Sequence, residues 1–487
     1  MYTVTFMPEG VTVKATAGTS VLSAAIKADL HPDAPCGGNG SCGKCLVTVD
    51  GKQVLACRTI VDRDMTVYLP ETRQAKILTD QSEMRIAADG RHEYVAAFDI
   101  GTTTLVGYLL DGMTGALLAT AGAMNPQSRY GADVISRIQT AVVEKEPLLQ
   151  RCVTAALGSL IEELAKEAKI GTEQISLVCV VGNTAMHHLF LGIDPSSLVT
   201  PPYLPAVSAA MEEAVGDRLP AADGAVLRVL PNIAGFVGAD TVGCMVAAGF
   251  DRLSDLTLLL DIGTNGEMVL GDGKRRIACS AAAGPAFEGA KISCGMRGAA
   301  GAVDHVRLHG ETFEFHVIGD GEPCGVCGSG LLDLTACLLD MGVIDERGRL
   351  RGKVFTLPGT DISLTQKDVR ELQLAKGAIR AGIELLCRQM GVRPEDIREV
   401  LLAGAFGNYL DPASACRIGM IPACLADRIR PVGNAAGEGA KLCAVNRGAF
   451  LLAEELAANT EFLELASVPE FQERFIEALD FPTAEKA

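Results

Sequence analysis

One pattern in this 487-residue chain occurs twice, and it limits the possible folds more than any other feature. Residues 95–106 read Val-Ala-Ala-Phe-Asp-Ile-Gly-Thr-Thr-Thr-Leu-Val, and residues 256–267 read Leu-Thr-Leu-Leu-Leu-Asp-Ile-Gly-Thr-Asn-Gly-Glu. Each is an apolar run, an Asp-Ile-Gly-Thr turn and a second apolar run that ends in Asp-Gly, at 111–112 and at 272–273. This predicts two strand–loop–strand units. A second pair follows, at 178–182 and 400–404, each a buried strand running through glycine into a helix. The copies are offset by 162 residues in the first pair and by 222 in the second. The second half is therefore expected to carry an insertion of about 60 residues within 300–365. Two similar halves with mirrored loops imply two lobes around a cleft.

The loops carry chemistry as well as shape. Holding a polyphosphate without a field of arginines needs backbone amides, small hydroxyls and a divalent cation. A strand ending in Asp-Ile-Gly-Thr offers all three. Asp99 and Asp261 would orient a hydrated Mg²⁺. Gly101 and Gly263 allow close approach of the phosphate. Thr102, Thr103, Thr104, Thr264, Asn265 and Gly266 offer donors. One such loop is often only a turn, but two at matching positions point to ATP. Glu267 and Glu288 are candidates to position a water, set against a plain strand or turn role. At Gly404-Ala405-Phe406-Gly407 a strand ends in small residues, which lets it pass flat under an adenosine.

The N-terminal quarter holds a different constellation. Cys36, Cys42, Cys45 and Cys57 have the spacing C-x5-C-x2-C-x11-C, with Gly37, Gly38, Gly40 and Gly43 between them. Four soft thiolates, three of them on one glycine-rich loop, suit an iron–sulfur cluster. Structural zinc accepts the same four ligands. The surrounding pattern favours the cluster: strands at 2–6 and 11–15, a helix at 20–28 capped by Thr19 or Ser20, strands at 46–49 and 53–56 around Asp50-Gly51, and a closing strand at 65–69. Residues 76–93 read as a linker. The organisation expected is 1–75, linker 76–93, first lobe 94–250, second lobe 251–435, and helices at 436–487 returning to the first lobe.

Composition excludes some partners. Nearly all of the net charge of −17 lies beyond residue 93, and no basic stripe speaks for nucleic acid or an anionic membrane. No basic leader precedes an apolar run, and no apolar run reaches the length of a membrane span, so a cytoplasmic location is expected. Sixteen Cys in that setting argue for metal ligation and reduced thiols. Other motifs have quieter readings. Cys324-x2-Cys327 is a weak candidate for redox chemistry beside ordinary buried thiols. Cys327-Gly-Ser329-Gly330 reads as a tight helix start. His187 and His188 are adjacent, so they cannot share one helix face as metal ligands.

Taken together these motifs resemble a known family. Residues 1–75 resemble the [2Fe–2S] ferredoxin β-grasp fold. Residues 94–460 resemble the duplicated ATPase fold of the acetate and sugar kinase, heat-shock chaperone and actin superfamily, with Ala435-Ala-Gly437-Glu-Gly439 matching its second connecting helix. The fold class expected is thus α/β with an α+β N-terminal module. The combination resembles the reductive activators of corrinoid proteins. That resemblance implies a [2Fe–2S] cluster, ATP and Mg²⁺ as cofactors. It implies that one electron passes to a Co(II) corrinoid protein of a methyltransferase system, remaking Co(I), and that a separate reductant reloads the chain. A homodimer is compatible with it. One departure stands out: the larger activators carry a middle domain between ferredoxin and ATPase, where this chain shows only about 18 residues of linker. Two rivals remain, an ATP-gated donor to another enzyme such as an acyl-CoA dehydratase, and a chaperone-like ATP-controlled binding protein that moves no electron.

Overall fold

The computed structural model describes residues 1–28, 30, 32, 34, 38, 40, 44–70, 87–131, 133–144, 147–407 and 409–483. Most of the proposed linker lies outside the described residues, as do Cys36 and Cys42.

The N-terminal unit is one five-stranded sheet in the order Val11–Ala15, Tyr2–Met7, Met65–Tyr68, Leu46–Val49, Lys52–Leu55. Two hairpins make its halves. The second turns at Asp50 and Gly51, both with positive φ, as a two-residue hairpin requires. Met65–Tyr68 joins the halves, parallel to Tyr2–Met7 and antiparallel to Leu46–Val49. It is therefore central in the sheet, not an edge that closes it. The helix Val21–Lys27 starts at Ser20, whose Oγ accepts the Ser23 N–H at 3.1 Å. Its apolar side, with Val21, Leu22, Ala24 and Ala25, packs on Val4, Phe6, Val47 and Val67.

The rest of the chain is built on two six-stranded sheets that match in five strands, the sixth being Met211–Ala214 at one edge of the first and Thr460–Phe462 at the opposite edge of the second. In the first, Tyr94–Ile100 pairs antiparallel with Thr104–Asp111, which pairs antiparallel with Leu117–Met124. On its other side Tyr94–Ile100 pairs parallel with Ile175–Gly182, followed by Val226–Val229. In the second, Thr257–Ile262, Gly266–Gly271 and Arg276–Ala281 repeat the antiparallel meander, and Glu399–Ala403 and Ile429–Pro431 repeat the parallel side. The helices Leu148–Ala168 and Gln366–Met390 make the corresponding crossovers. The extra residues of the second half fall in 282–365: a small three-stranded sheet, the helix Gly328–Asp340 and a hairpin at 354–365.

Alternation along the strands builds the layers. Val95 and Ala97 face one way, with Leu259, Ala403 and the helices Ala239–Ala248 and Ala435–Val445 in a core shared by both sheets. Ala96 and Phe98 face the other way onto Leu157, Ile161 and Leu164. Leu258 and Leu260 likewise face Leu372, Ile379 and Ile383. The two central helices cross where Gly243 and Gly439 meet backbone to backbone, and a Cβ on Gly439 would collide with Gly243. Small residues at this crossing let the lobes share one core.

The closing segment divides. Arg447–Ala458 packs with the shared core. Residues from Thr460 onward depart from the expected return to the first lobe: Thr460–Phe462 adds a parallel strand beside Arg276–Ala281, and Phe471 and Phe475 pack on the second lobe's core.

Candidate functional site

Both Asp-Ile-Gly-Thr loops end the central strands of their sheets and open on the same cleft. In the first, Gly101 N–H donates to Thr104 O at 2.9 Å, closing the turn. In the second, Gly263 N–H donates to Asn265 O at 2.8 Å. Side chains from three other segments hold the first loop. Asn125 Nδ2 donates to Gly101 O at 2.8 Å and its backbone N–H to Thr103 O at 2.9 Å. Asn183, the cap of the helix Thr184–Leu191, donates from Nδ2 to Thr102 Oγ1 at 2.9 Å. Asn434, the cap of Ala435–Val445, donates from Nδ2 to Asp99 Oδ2 at 3.0 Å.

The cleft floor gathers carboxylates. Burial pushes Asp99 up to about 7, against the Asn434 hydrogen bond, and Asp240 adds to the rise. Burial also pushes Asp261 up to about 7, with Asp240 and Asp99 contributing. Asp240 itself is raised to about 6 by burial. Glu267 lies opposite Asp261 across the strand pair, accepts Ser280 Oγ at 3.2 Å, and is raised well above the usual range by burial and by Asp240 and Asp261. Like charges that shift each other upward in a shared, poorly hydrated space suit a cation. Among the described residues no three His, Cys, Asp or Glu side chains converge closely enough to ligate one ion. A Mg²⁺ here would take most of its shell from water and phosphate oxygens, as this ion prefers.

Glu288 spans the two loops. Its Oε1 accepts Thr264 Oγ1 at 2.6 Å and its Oε2 accepts Thr103 Oγ1 at 3.3 Å. Neighbouring Phe287 stacks on Phe406 with ring centroids 4.8 Å apart. Gly404 has φ +85°, and a Cβ there would lie 2.7 Å from Asp261 Oδ1, so only glycine lets the strand Glu399–Ala403 turn into the short helix Gly404–Gly407 beside the carboxylate. The side chain of Ala405 lies outside the described residues.

Sequence reading missed five residues of this site. Asp240 stands in the first turn of a helix after Gly238, outside both loop motifs. Asn125, Asn183 and Asn434 each cap a helix in a segment remote from the loop it holds. Arg137 is fully buried, bonds Gly131 O at 2.9 Å, and feels Asp133 and Glu288. Burial lowers it to about 10, so it stays a cation at neutral pH. A helix cap or an N-terminal Gly-Ala-Asp was the available signal for the first four. For Arg137 there was none.

In the N-terminal unit, Cys45 is buried and its Sγ accepts the Cys57 N–H at 3.4 Å, while Gly38 and Gly40 take positive φ in the loop before them. An amide aimed at a thiolate and a loop free to wrap fit a sulfur-held cluster. Among the other candidates, Cys324 is exposed and Cys327 buried, and no disulfide joins the described cysteines. His188 is fixed by Thr184 O and the Ala206 N–H, while His187 faces no hydrogen-bond partner and burial lowers it to about 3.

A cysteine loop on a ferredoxin-type sheet, joined to a two-lobed nucleotide fold, defines an iron–sulfur protein with an ASKHA-type ATPase. The comparisons give the family. The profile of a 2Fe-2S iron-sulfur cluster binding domain matches residues 2–71, that of the RACo middle region 94–253, and that of the C-terminal, ASKHA, domain of RACo 255–487. The corrinoid activation enzyme RamQ of Eubacterium limosum is 36% identical over 413 residues, 79% of this chain and 69% of that protein. A [Co(II) methylated amine-specific corrinoid protein] reductase of Methanosarcina barkeri is 35% identical over 229 residues, 42% of each chain. The solved structure of a reductive activator for corrinoid, iron–sulfur protein superposes with a TM-score of 0.72 at 28% identity, covering 99% of this chain and 98% of that one. The chain belongs to the RACo family.

This corrects one expectation. The family's middle region is not missing: it matches 94–253, the first six-stranded unit. Because that unit repeats the fold of the second, it reads from sequence as half of an ATPase, and the short linker before it then looks like a gap.

Proposed function

We infer that this chain is an ATP-dependent reductive activator of a corrinoid protein. The observation that carries the reading is the pairing, in one chain, of a 2Fe-2S domain with an ASKHA cleft, superposable over nearly its whole length on a reductive activator. The cluster, when bound by Cys36, Cys42, Cys45 and Cys57, supplies one electron at a time at low potential, near about −400 mV for plant-type centres. A Co(II) corrinoid on the partner accepts that electron to become Co(I). This step is uphill, and ATP assists only by binding two states of the assembly with different affinity.

The protein's own residues do the rest. Asp99, Asp261 and Asp240 give up their protons to hold a hydrated Mg²⁺. Thr102, Thr103, Thr104, Thr264 and Asn265, with the amides of Gly101, Gly263 and Gly266, receive the phosphates. Gly404, Ala405, Phe406 and Gly407 pass beside the nucleoside. Glu267, forced toward the protonated form in the cleft floor, takes the role of orienting the attacking water. The reading requires a low-potential reductant to reload the chain after each turnover. It also places the protein in the cytoplasm; among the described residues no helix is long and apolar enough to cross a membrane.

The test is anaerobic. The reduced, cluster-loaded protein is mixed with the Co(II) corrinoid subunit of a methyltransferase, and the visible spectrum is followed for Co(I). Co(I) that appears only with MgATP is the expected result. An intact, reducible cluster and measurable ATPase without Co(I) would refute the corrinoid acceptor.

A further inference from the structure

We propose that residues 285–296 form a rigid strut by which nucleotide occupancy of the cleft is transmitted to the cysteine loop of the N-terminal domain. This rests on the ATP reading above and adds the route of its coupling. At one end is Glu288, the carboxylate that takes hydroxyl bonds from both lobes, Thr103 in the first and Thr264 in the second. At the other end is Gly295, whose carbonyl accepts the Lys44 ammonium. Lys44 directly precedes Cys45, one of the four cluster thiols.

The segment between them is stiff. It turns tightly at Pro285–Glu288, with Gly289 N–H on Ala286 O at 3.0 Å and Ala290 N–H on Pro285 O at 3.1 Å. Gly289 and Gly295 then pack backbone to backbone, leaving no room for a Cβ on either. Ser293 donates from its N–H at 2.8 Å and its hydroxyl at 3.1 Å to Asp368, itself fixed in the cap of Gln366–Met390. Cys294 and Met296 lace to Val326: its N–H meets Cys294 O at 2.8 Å, and its carbonyl takes the Met296 N–H at 2.9 Å. Phe287 stacks on Phe406, beside the expected nucleoside. A segment pinned at so many points moves with the second lobe as a body.

The electrostatics at the cleft end give the switch. Glu288 occupies the two threonine hydroxyls that phosphate oxygens would take, and a carboxylate cannot share them with a polyanion at contact distance. Nucleotide binding therefore breaks the Thr103–Glu288 bond, one tie between the lobes, and resets the position of the second lobe. The second lobe carries Gly295, so the seat of Lys44 shifts. The N-terminal domain joins the chain ahead of Tyr94–Ile100 in the first lobe, where Gly112 N–H bonds Glu93 O at 2.8 Å. Relative motion of the lobes is thus felt at the cysteine loop.

Coupling of this kind is reciprocal, which makes it measurable without any corrinoid. The experiment is titration calorimetry of Mg²⁺ with a non-hydrolysable ATP analogue into the full, cluster-loaded chain. The variants are Lys44→Met, Glu288→Gln and the double variant, with Lys44→Arg keeping a donor as control. Hydrogen exchange at residues 44–46 is followed alongside. Lys44→Met is expected to change nucleotide affinity by about fivefold or more. The same substitution in the Glu288→Gln background is expected to change it by less than about twofold, and Lys44→Arg should behave as wild type. Nucleotide should alter exchange at 44–46 in the wild type and not in Lys44→Met. Additive effects of the two substitutions, or an exchange response that survives Lys44→Met, would overturn the strut while leaving ATP binding intact. A wild type that binds no nucleotide would overturn both readings.

Discussion

The two Asp-Ile-Gly-Thr loops have nearly the same sequence and the same place in matching sheets, yet they are held differently. Around the first, three asparagines from three segments reach the backbone or side chains of Asp99–Thr103 at 2.8–3.0 Å. Around the second, Asp261 has the Cys244 thiol at 3.7 Å and Thr264 has Glu288. The cause lies just after the third strand. In the first lobe the chain passes from Leu117–Met124 straight into Asn125, which folds back onto the loop. In the second lobe Ala281 leads into the long excursion of 282–365, and the side chain that returns to the loop is the carboxylate of Glu288. Both loops give a threonine hydroxyl to Glu288, but only the first is also clamped by neutral asparagine donors; the second leans on the anion, which a phosphate would displace. Duplicated loops can thus divide labour, one as a fixed seat and one as a sensor.

The largest effects should show where the loops are alike. Asp99→Ala and Asp261→Ala are each expected to lower ATP turnover by about 10²–10³-fold or more, the scale seen when one preorganised electrostatic group is lost. The visible spectrum of the cluster should be unchanged in both. Retained turnover in either variant would end the equivalence of the two loops, and a bleached cluster would mean the modules are not independent.

Next comes a pH effect shared by the floor carboxylates. Asp99 and Asp261 titrate near 7 in the folded chain and Asp240 near 6, against an ordinary value of 3.8. Between about pH 4 and 7 the folded state therefore binds more protons than the unfolded one, and stability falls as pH rises. The slope is at most about 1.4 kcal/mol per pH unit for each carboxylate. Metal- and nucleotide-free protein should lose thermal stability from pH 5 to pH 7.5. Asp99→Asn with Asp261→Asn should flatten that loss. An unchanged slope in the double variant would place the titration elsewhere.

Asn125 then separates the loops. It is fully buried and bonds two groups of the first loop, so Asn125→Ala should cost about 1–3 kcal/mol in urea unfolding by stranding a buried carbonyl. No side chain plays that part in the second loop among the described residues, and a cost below 0.5 kcal/mol, which is roughly the noise of surface substitutions, would remove the contrast.

How much of this was written in the sequence follows the same division. The hairpins were legible because strand period and Asp-Ile-Gly-Thr are local, and the inserted stretch was legible because the two offsets differ. Ser20 announced its helix because a cap is read two or three residues away. Asp240, Asn183 and Asn434 were not legible as site residues, because topology alone brings them to the loops; Asn183 and Asn434 reach the first loop across 81 and 335 residues of chain. The middle region was misplaced for a related reason: when two units share a fold, their sequence patterns cannot say which one a family treats as separate.

The smallest effect is the finest test of the asymmetry. Thr264→Val keeps the shape of the side chain and removes the hydroxyl that Glu288 accepts. Glu288 is only half-buried and still has Thr103, so the folded protein should lose no more than about 1 kcal/mol. Thr102→Val removes the hydroxyl that Asn183 donates to, and leaves Nδ2 of that cap without its partner inside the cleft wall. It should cost at least as much, about 1–2 kcal/mol. Nucleotide affinity should rank the other way, because the Thr264 hydroxyl, unlike that of Thr102, is held by a carboxylate that nucleotide displaces. Urea unfolding and calorimetric titration of the two variants give both rankings. If the same variant is the worse in both measurements, the loops differ only in how well they are built, and the sensing role of the second is lost.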